Sequence, residues 1–298
     1  MESLSHCPVC EHDKLSPFLS CIDHTVSRET FQIVQCNGCG FRFTNPRPAP
    51  AELGRYYQSE EYISHSGSKK GLINKLYHYV RGYTLLKKLQ LVSALLSDKR
   101  QQNPALLDIG CGTGEFLGVC KKARWNVLGI EPSPAARDFG TKTYGIDVRP
   151  EDALKTLLNE SYDIITMWHV LEHVPDLNGR IEELKRLIKP AGRIVIAVPN
   201  CSSADAKTYG AFWAAYDVPR HLYHFTPGDI RRVFSRHSMH VERILPMRFD
   251  SFYVSMLSDK YRSGKTRLLR STWNGLISNL KAIRTGESYS SQIYIIRK

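Results

Sequence analysis

Residues 106–117, with the sequence LLDIGCGTGEFL, constrain the fold of this chain more than any other stretch. They begin as an apolar strand, continue as a turn in which Gly110, Gly112 and Gly114 alternate with other residues, and end as the start of a helix. Such a turn bends tightly and lets a ligand touch the backbone where a Cβ would collide, and the helix that follows offers unpaired N–H groups. The stretch therefore predicts a nucleotide-cofactor site at the end of a strand in an α/β sheet.

The glycine spacing indicates which kind of cofactor the turn binds. It is G-x-G-x-G, because Glu115 occupies the last position of the dinucleotide fingerprint G-x-G-x-x-G. With Asp108 two residues before the first glycine, the stretch resembles motif I of the class I S-adenosylmethionine-dependent methyltransferases. The resemblance implies a ligand without phosphate, for which no phosphate-binding lysine is needed.

A carboxylate follows the next predicted strand. That strand covers 125–130 and ends at Glu131, 23 residues after Asp108. A carboxylate at this point can accept hydrogen bonds from both ribose hydroxyls of an adenosine cofactor, although a NAD site would use such an acid too. The alternative is a solvated glutamate at a strand end.

A second motif follows the strand predicted over 162–167. The chain continues there as WHVLEHVPD, from Trp168 to Asp176. This segment resembles the post-strand motif of the small-molecule branch of the family, in which V-L-E-H-V is common. The two motifs together favour a methyltransferase over other α/β proteins with a glycine turn.

Four of the eight cysteines form two pairs, Cys7-x-x-Cys10 and Cys36-x-x-Cys39. Each pair has the knuckle spacing that turns two thiolates toward one tetrahedral ion, so we predict a structural zinc site. A redox pair is disfavoured because no thioredoxin-like βαβ pattern surrounds either motif, and an iron–sulfur cluster stays an alternative. A site closed by four ligands has no open position for a substrate.

The remaining apolar segments continue the alternation of strands and helices, with strands expected over 144–148, 193–198, 241–245 and 292–296. We predict an α/β fold with a Rossmann-like, doubly wound, seven-stranded and mainly parallel sheet, a small N-terminal zinc ribbon and a helical lid. The expected divisions are the zinc ribbon (1–48), the lid and linker (49–103), the cofactor-binding core (104–250) and a basic extension that returns as the last strand (251–298).

The resemblance also implies which residues contact the cofactor, S-adenosylmethionine. They are Asp108, Gly110, Cys111, Gly112, Gly114, Glu131, Pro132, Asp152, Met167, Trp168 and His169. Asp152 would accept the adenine amino group, or it would only cap a helix. Tyr56, Tyr57 and Tyr62 of the lid would line the pocket or pack as aromatic core.

Residues 201–225 lose all periodicity and gather aromatic side chains, two imidazoles and a guanidinium, including the run DVPRHLYHF. A loop of this length in a compact domain usually has a function, and it follows strand five, where substrate enters in the resembled fold. A purely structural loop is the alternative. The candidate proton acceptors, chosen because imidazole titrates near neutrality, are His169, His173, His221 and His224.

The assembled pattern resembles bacterial methyltransferases that act on nucleotide-linked sugars and other small metabolites. We therefore predict methyl transfer to a small-molecule acceptor, with a sugar or a nucleotide- or lipid-linked saccharide as the expected class. The zinc ribbon and the net charge of +12 also suit a ribosomal or transfer RNA methyltransferase. Against that alternative, no Asn/Asp-Pro-Pro-aromatic motif follows strand four. A binding module without activity is disfavoured while the glycines and Glu131 are in place.

The positive charge is concentrated in two segments. Residues 69–100 hold eight Lys and Arg against one acid, and residues 251–298 hold nine against two. In the second segment an apolar stripe at helical spacing, from Trp273 to Ile283, is flanked by basic residues. We expect the two segments to form a basic rim that attracts an anionic acceptor, and the basic tail (251–298) to make peripheral contact with a membrane. The alternative is a helix packed on the core with a solvated basic face. No apolar run approaches the roughly 18 residues of a membrane span, and we expect a cytoplasmic protein.

Overall fold

The computed structural model describes residues 1–58, 72–98 and 100–298, with the backbone alone described over 72–79. The expectation for Tyr62 lies outside the described residues, as do Lys69, Lys70 and Lys99 of the predicted rim. The strands are β1 (Leu15–Ile22), β2 (Thr30–Cys36), β3 (Arg42–Thr44), β4 (Ala105–Ile109), β5 (Asn126–Ile130), β6 (Asp147–Arg149), β7 (Tyr162–Trp168), β8 (Ile188–Pro199), β9 (Tyr223–His224), β10 (His240–Pro246) and β11 (Ser291–Arg297). The helices are α1 (Leu72–Ala94), α2 (Glu115–Lys122), α3 (Pro134–Tyr144), α4 (Leu177–Leu187), α5 (Ala204–Tyr209), α6 (Pro227–Arg236), α7 (Asp250–Ser263) and α8 (Leu268–Thr285).

Seven strands form one sheet in the order β10-β11-β8-β7-β4-β5-β6. Strands β8, β7, β4, β5 and β6 are parallel to one another. Strand β11 pairs antiparallel with β8, and β10 pairs antiparallel with β11. Leu106 and Leu107, neighbours on β4, are both fully buried, as expected for a strand covered on both faces. The predicted Rossmann-like, mainly parallel, seven-stranded sheet is confirmed.

Helices pack on both faces of this sheet. On one face, Val92 of α1 and Phe116 of α2 pack with Leu106 in one hydrophobic cluster. On the other face, Ile181 of α4 packs with Leu107 in a second cluster. Helix α1 therefore covers the sheet next to the glycine turn, as the predicted lid would.

The N-terminal ribbon is joined to the rest of the fold by a shared sheet. Strands β1, β2 and β3 form an antiparallel sheet whose fourth strand is β9, with Phe43 opposite Tyr223. Phe41 packs against both of these rings, and all three belong to the cluster that contains Leu107 of β4. The ribbon and the large sheet thus have one hydrophobic core.

The prediction was wrong at the third parallel strand. Tyr144, expected to begin it, is the last residue of α3, and Gly145 ends that helix with a left-handed φ of 63°. Sheet pairing begins only at Asp147. The stretch 201–225 is also more ordered than a loop, since it contains α5 and two short 3₁₀ turns. In the part of the chain that the structure describes, no helix has both the length and the apolar character that crossing a bilayer requires.

Candidate active site

The glycine turn joins β4 to α2 and is held against the end of β5. The backbone N–H groups of Gly110 and Cys111 both donate to the carbonyl of Ile130, at 2.7 and 3.1 Å. A Cβ at Gly110 would lie 2.4 Å from the side chain of Val170, whereas a Cβ at Gly112 would have no neighbour within 4 Å. Gly112, with φ of 54°, therefore presents bare backbone to open space, as a ligand lying on the turn requires.

The carboxylate of Glu131 stands beside this turn. Its Oε2 accepts a hydrogen bond from the backbone N–H of Gly112 at 2.9 Å, and its Oε1 accepts one from the N–H of Ser133 at 2.9 Å. Two amides thus fix the carboxylate, and each oxygen keeps a lone pair for a further donor. The arrangement suits recognition of a pair of hydroxyl groups.

Asp108 is a buried carboxylate at the end of β4. It accepts a hydrogen bond from the hydroxyl of Thr166 at 2.5 Å. Burial raises the pKa of Asp108 to about 7, although the Thr166 hydrogen bond and the charge of Lys88 act in the opposite direction. A positively charged ligand next to this carboxylate would favour its ionised form.

Trp168, the last residue of β7, brings a donor to the same edge of the sheet. Its ring packs edge-on against Phe116 at 5.8 Å, and Nζ of Lys88 lies 4.1 Å from its ring centroid. Nε1 of Trp168 is buried and has no hydrogen-bond partner among the described atoms. Buried N–H groups in proteins nearly always have an acceptor, so this group is a candidate contact for a bound molecule.

The other residues predicted to bind the cofactor lie around the same strand ends. Gly114 is the N-cap of α2, with a φ of 78°, and Cys111, within the turn, is half-buried. The side chain of Met167 is fully buried in the core below. Pro132 and Asp152 are exposed, and Asp152 caps no helix, because Pro150 holds the N-cap position of its 3₁₀ turn. An open glycine backbone, a fixed carboxylate and an unpaired indole N–H together fit an adenosine-type cofactor.

His169 is a cationic group in the turn after β7. Its Nε2 lies 3.1 Å from Oδ2 of Asp250, and its Nδ1 lies 3.5 Å from Oε1 of Glu172. Burial lowers the pKa of His169, but these two carboxylates raise it to about 10. The imidazole therefore favours its protonated form at neutral pH and is a poor proton acceptor.

Glu172, His173 and His221 form a compact cluster, in which one nitrogen or oxygen from each lies within 4.8 Å of the others. The two imidazole rings meet edge to face with centroids 4.6 Å apart. Nδ1 of His173 contacts the carbonyl of Arg220 at 3.1 Å, and Nδ1 of His221 contacts that of Ala215 at 2.8 Å. Because a carbonyl can only accept, Nδ1 of His221 carries the proton and its Nε2 keeps the lone pair.

Glu172 supplies negative charge inside this cluster. Its carboxylate is fully buried, and neither oxygen has a hydrogen-bond partner among the described atoms. Burial raises its pKa, but His169, His221 and His173 lower it below the ordinary value. An anion between imidazoles can stabilise a proton that one of them takes up. The same three side chains are also a donor set that suits a divalent transition metal.

The two imidazoles of the cluster differ in their surroundings. Burial and the neighbouring His221 lower the pKa of His173 to about 4, and the hydroxyl of Tyr57 lies 2.9 Å from its Nδ1. His221 has a second carboxylate nearby, since its Nε2 lies 3.9 Å from Oδ2 of Asp217. His221 thus has the carboxylates of both Glu172 and Asp217 near its imidazole.

His224 lies apart from the cluster, in β9. It is buried, and its Nε2 lies 3.1 Å from Oγ1 of Thr44 in the neighbouring strand β3. Burial lowers the pKa of His224 well below its ordinary value. Of the four histidines predicted as candidate bases, the structure therefore brings only His173 and His221 together.

Arg220 fixes the position of the segment that carries His221. Its guanidinium is buried and forms a two-pronged pair with Asp217, at 2.9 and 2.6 Å. It also donates to Oδ1 of Asp23 at 3.0 Å and to the carbonyl of Tyr56 at 2.9 Å. One side chain thus links the ribbon, the residues before α1 and the histidine cluster.

The four predicted metal ligands, Cys7, Cys10, Cys36 and Cys39, form one cluster. The sulfurs of Cys7 and Cys39 are 3.6 Å apart, and those of Cys10 and Cys36 are 3.5 Å apart. Sulfurs around a tetrahedral zinc lie about 3.8 Å apart, because each Zn–S bond is about 2.3 Å long. The donor set fits zinc.

Three polar groups of the site were missed in the sequence. Thr166 could have been found, because it is the one polar residue in the apolar run 164–167 of β7. The sequence near Lys88 and Asp250 does not indicate a role in the site, because their partners, Trp168 and His169, are distant along the chain. Tyr57 was singled out, but the sequence did not indicate its contact with His173.

Comparison with known proteins gives the following relatives. A family model described as a methyltransferase domain matches residues 77–241, which is more than half of the chain. A ubiquinone biosynthesis O-methyltransferase from Rhodopseudomonas palustris (strain TIE-1) is 29% identical over 142 residues, or 44% of this chain and 56% of that protein. The enzyme of the same name from Aliivibrio fischeri (strain ATCC 700601 / ES114) is 25% identical over 233 residues, or 72% of this chain and 92% of that protein. The chain thus spans little more than half the length of the Rhodopseudomonas relative.

Two solved structures share the fold. The magnesium protoporphyrin IX methyltransferase from Synechocystis PCC 6803, solved with bound SAH, superposes with a TM-score of 0.53 at 15% identity, over 82% of this chain and 97% of that chain. The geranyl diphosphate C-methyltransferase from Streptomyces coelicolor A3(2), solved with Mg²⁺, geranyl diphosphate and S-adenosyl-L-homocysteine, gives 0.51 at 17% identity, over 84% and 88%. At these identities the likeness concerns the fold alone.

Proposed function

Because the chain belongs to the methyltransferase-domain family, we propose that it transfers a methyl group from S-adenosylmethionine to a hydroxyl group of a small anionic molecule. One observation carries this proposal. The turn that holds Glu172 and His173 packs through Val170 directly against Gly110, so the proton-accepting cluster lies next to the glycine turn. Cofactor binding and deprotonation would therefore occur at one edge of the sheet.

Three residues would hold the cofactor. Gly112 offers backbone without a side chain, Glu131 offers lone pairs for the ribose hydroxyls, and Asp108 offers a carboxylate to a cationic ligand. When bound, S-adenosylmethionine supplies an electrophilic methyl group on a sulfonium. The protein's own contribution is then to orient the acceptor and to remove its proton.

His221 is the proposed proton acceptor. Its Nδ1 is held by the carbonyl of Ala215, which leaves Nε2 with the lone pair. Asp217 lies 3.9 Å from that nitrogen and Glu172 lies in the same cluster, so the two carboxylates would stabilise the imidazolium once the proton has moved. His173 packs edge-on against the ring and positions it. His169 is already protonated and serves as a fixed positive charge.

An anionic acceptor suits the other groups at this edge. Lys88 brings a half-buried ammonium group, whose charge would attract the phosphate or carboxylate of an acceptor. The relatives named as ubiquinone biosynthesis O-methyltransferases support a small-molecule hydroxyl as the acceptor. Within that class we propose a sugar, or a nucleotide- or lipid-linked saccharide, whose phosphates the basic surface of the chain would attract.

We also infer that the four-cysteine cluster holds a structural zinc ion. All four sulfurs are committed to one closed set, so the ion would stabilise the ribbon and take no part in the reaction. The ribbon in turn supports β9, which follows His221 in the chain.

A methyl-transfer screen with labelled cofactor tests the acceptor class directly. Nucleotide sugars, lipid-linked saccharides, phenolic lipids and ribosomal RNA stripped of protein would be assayed in parallel. Labelling of a small molecule is expected; labelling of RNA alone would replace the proposal with an RNA methyltransferase. If the protein binds the cofactor but labels none of these acceptors, the proposed activity is excluded for these classes.

Variants at two histidines test the assignment of the base. His221→Gln should lower kcat about 10²-fold or more while leaving cofactor affinity unchanged. His240→Gln, at an exposed position in β10, is the matched control and should keep full activity. Activity of His221→Gln equal to that of the control would exclude His221 as the base.

A further inference from the structure

Helix α8 turns its apolar side chains outward, which reverses the usual arrangement of a surface helix. Leu269, Trp273 and Ile283 are 91%, 63% and 61% exposed, and Leu276 and Leu280 are exposed as well. These five side chains follow one another at intervals of three or four residues, so they form a single stripe along one side of the helix. We call this set the α8 stripe.

The opposite side of α8 is small and polar, and it is the buried side. The residues packed inward are Ser271, Gly275, Ser278, Asn279 and Ala282. A Cβ at Gly275 would lie 2.8 Å from the ring of Phe252 in α7, so the two helices approach closely at this glycine. Helix α8 thus packs on the protein through small residues, and its large apolar residues are exposed on the surface.

Buried hydrogen bonds fix this orientation. Oγ of Ser271 donates to Asp259 at 2.6 Å, and Oγ of Ser278 donates to Asp205 at 2.8 Å. Both aspartates are buried. Rotating α8 to cover the stripe would remove these donors from two buried carboxylates, which is costly. The outward direction of the stripe is therefore specified by the fold.

The borders of the stripe are positively charged. Residues 260–286 contain seven Lys and Arg and no Asp or Glu. Lys265, Arg267 and Arg270 lie at the N-terminal end of α8, and Lys281 and Arg284 lie in its C-terminal half, all of them exposed. An exposed apolar stripe between basic side chains, with a tryptophan in it, is typical of helices that lie in a membrane interface.

We propose that α8 docks on the surface of an anionic lipid bilayer. The α8 stripe would enter the boundary between headgroups and acyl chains, and the flanking Lys and Arg would meet the lipid phosphates. A second copy of the chain fits this face poorly, because two copies paired through α8 would bring their basic borders together. Docking does not depend on which acceptor the proposed methyltransferase uses.

Docking through α8 would bring the bilayer close to the active site. Helix α8 packs on α7, and the first residue of α7 is Asp250, whose carboxylate contacts His169. Among the described residues, helix α7 thus connects the docking face with the strand end where the acceptor is proposed to bind. A lipid-linked acceptor would reach such an enzyme without leaving the membrane.

Vesicle sedimentation with the full-length protein tests the proposal. Wild-type protein should pellet with vesicles of phosphatidylcholine and phosphatidylglycerol in about equal parts, and should stay in solution with phosphatidylcholine alone. The double variant Trp273→Ser, Leu280→Gln should bind the anionic vesicles at least about tenfold more weakly. Leu158→Gln removes a leucine that is 78% exposed outside α8 and is the matched control, expected to bind as wild type.

Three results would overturn the proposal. The first is wild-type protein that ignores anionic vesicles at low salt, and the second is a double variant that binds them like the control. The third is a dimer in sedimentation velocity that the double variant dissociates, which would assign the stripe to a second copy. Assays of each variant with a water-soluble acceptor distinguish failure of the docking proposal from failure of the proposed function. Loss of docking should leave cofactor binding and catalysis in solution unchanged.

Discussion

The buried carboxylate of Asp108 should make the protein less stable as the pH rises toward neutrality, and Asp108→Asn should remove that effect. In the folded chain, burial raises the pKa of Asp108 from 3.8 to about 7. The folded state therefore holds the proton more tightly than the unfolded state does. A carboxyl group of this kind stabilises the fold below its unfolded pKa and loses that contribution as the pH rises through its folded pKa.

The shift sets the size of the effect. About three pKa units, at about 1.36 kcal/mol each, correspond to on the order of 4 kcal/mol between about pH 4 and pH 7. Asparagine keeps a carbonyl oxygen that can accept the hydrogen bond from Thr166, and it carries no charge to desolvate. The difference in unfolding free energy, Asp108→Asn minus wild type, should accordingly increase as the pH rises.

Urea unfolding of both proteins, followed by circular dichroism at several pH values between about 4.5 and 8, measures this difference. Subtracting one protein from the other cancels the titration of all other groups. Asp138→Asn, which removes an exposed carboxylate from α3, is the control and should track wild type. A constant difference between wild type and Asp108→Asn across this range would refute the reasoning.

Three other predictions concern the cofactor, the metal and His169. Glu131→Ala removes an acceptor and Gly112→Val places a branched side chain at a left-handed φ in the open cradle, so each should weaken S-adenosylmethionine binding in calorimetry by at least about tenfold; unchanged affinity in both would contradict the assigned cradle. Metal analysis of fresh protein should find about one zinc per chain, and chelation should unfold the ribbon; protein without zinc, or with a brown iron chromophore, would contradict this. Asp250→Asn should lower the pKa of His169 in an NMR titration, because it removes the carboxylate 3.1 Å from Nε2; an unaltered pKa would contradict the pairing.

Local patterns in the sequence were enough to predict most of the fold. The longer parallel strands, β4, β5, β7 and β8, contain apolar runs separated by helical periodicity, and each of these runs can be recognised by itself; β6, with only three residues, cannot. The glycine turn and the paired cysteines are signals of the same local kind. Tyr144 shows where such signals fail: an aromatic residue before Gly-Ile-Asp-Val fits a strand, but Gly145 ends a helix there.

The chemistry of the site depends on contacts that local patterns do not contain. All four histidines look alike in the sequence, and their roles separate only through distant partners. Asp250 raises the pKa of His169, Thr44 lies against His224 in the ribbon sheet, and carbonyls orient the other two imidazoles. Sequence reasoning could collect the candidates, but only tertiary contacts could distinguish them.

Contacts of this kind also connect the ribbon to the segment that carries His221. Strand β3 of the ribbon pairs with β9, and Asp23 of the ribbon shares the buried guanidinium of Arg220 with Asp217. Asp217 in turn lies beside Nε2 of His221. Removing one partner of such a buried ion pair leaves an uncompensated charge, which costs about 3–5 kcal/mol. A metal that orders the ribbon would therefore support the proposed base by position: it would hold β3, which pairs with β9, and Asp23, which pairs with Arg220.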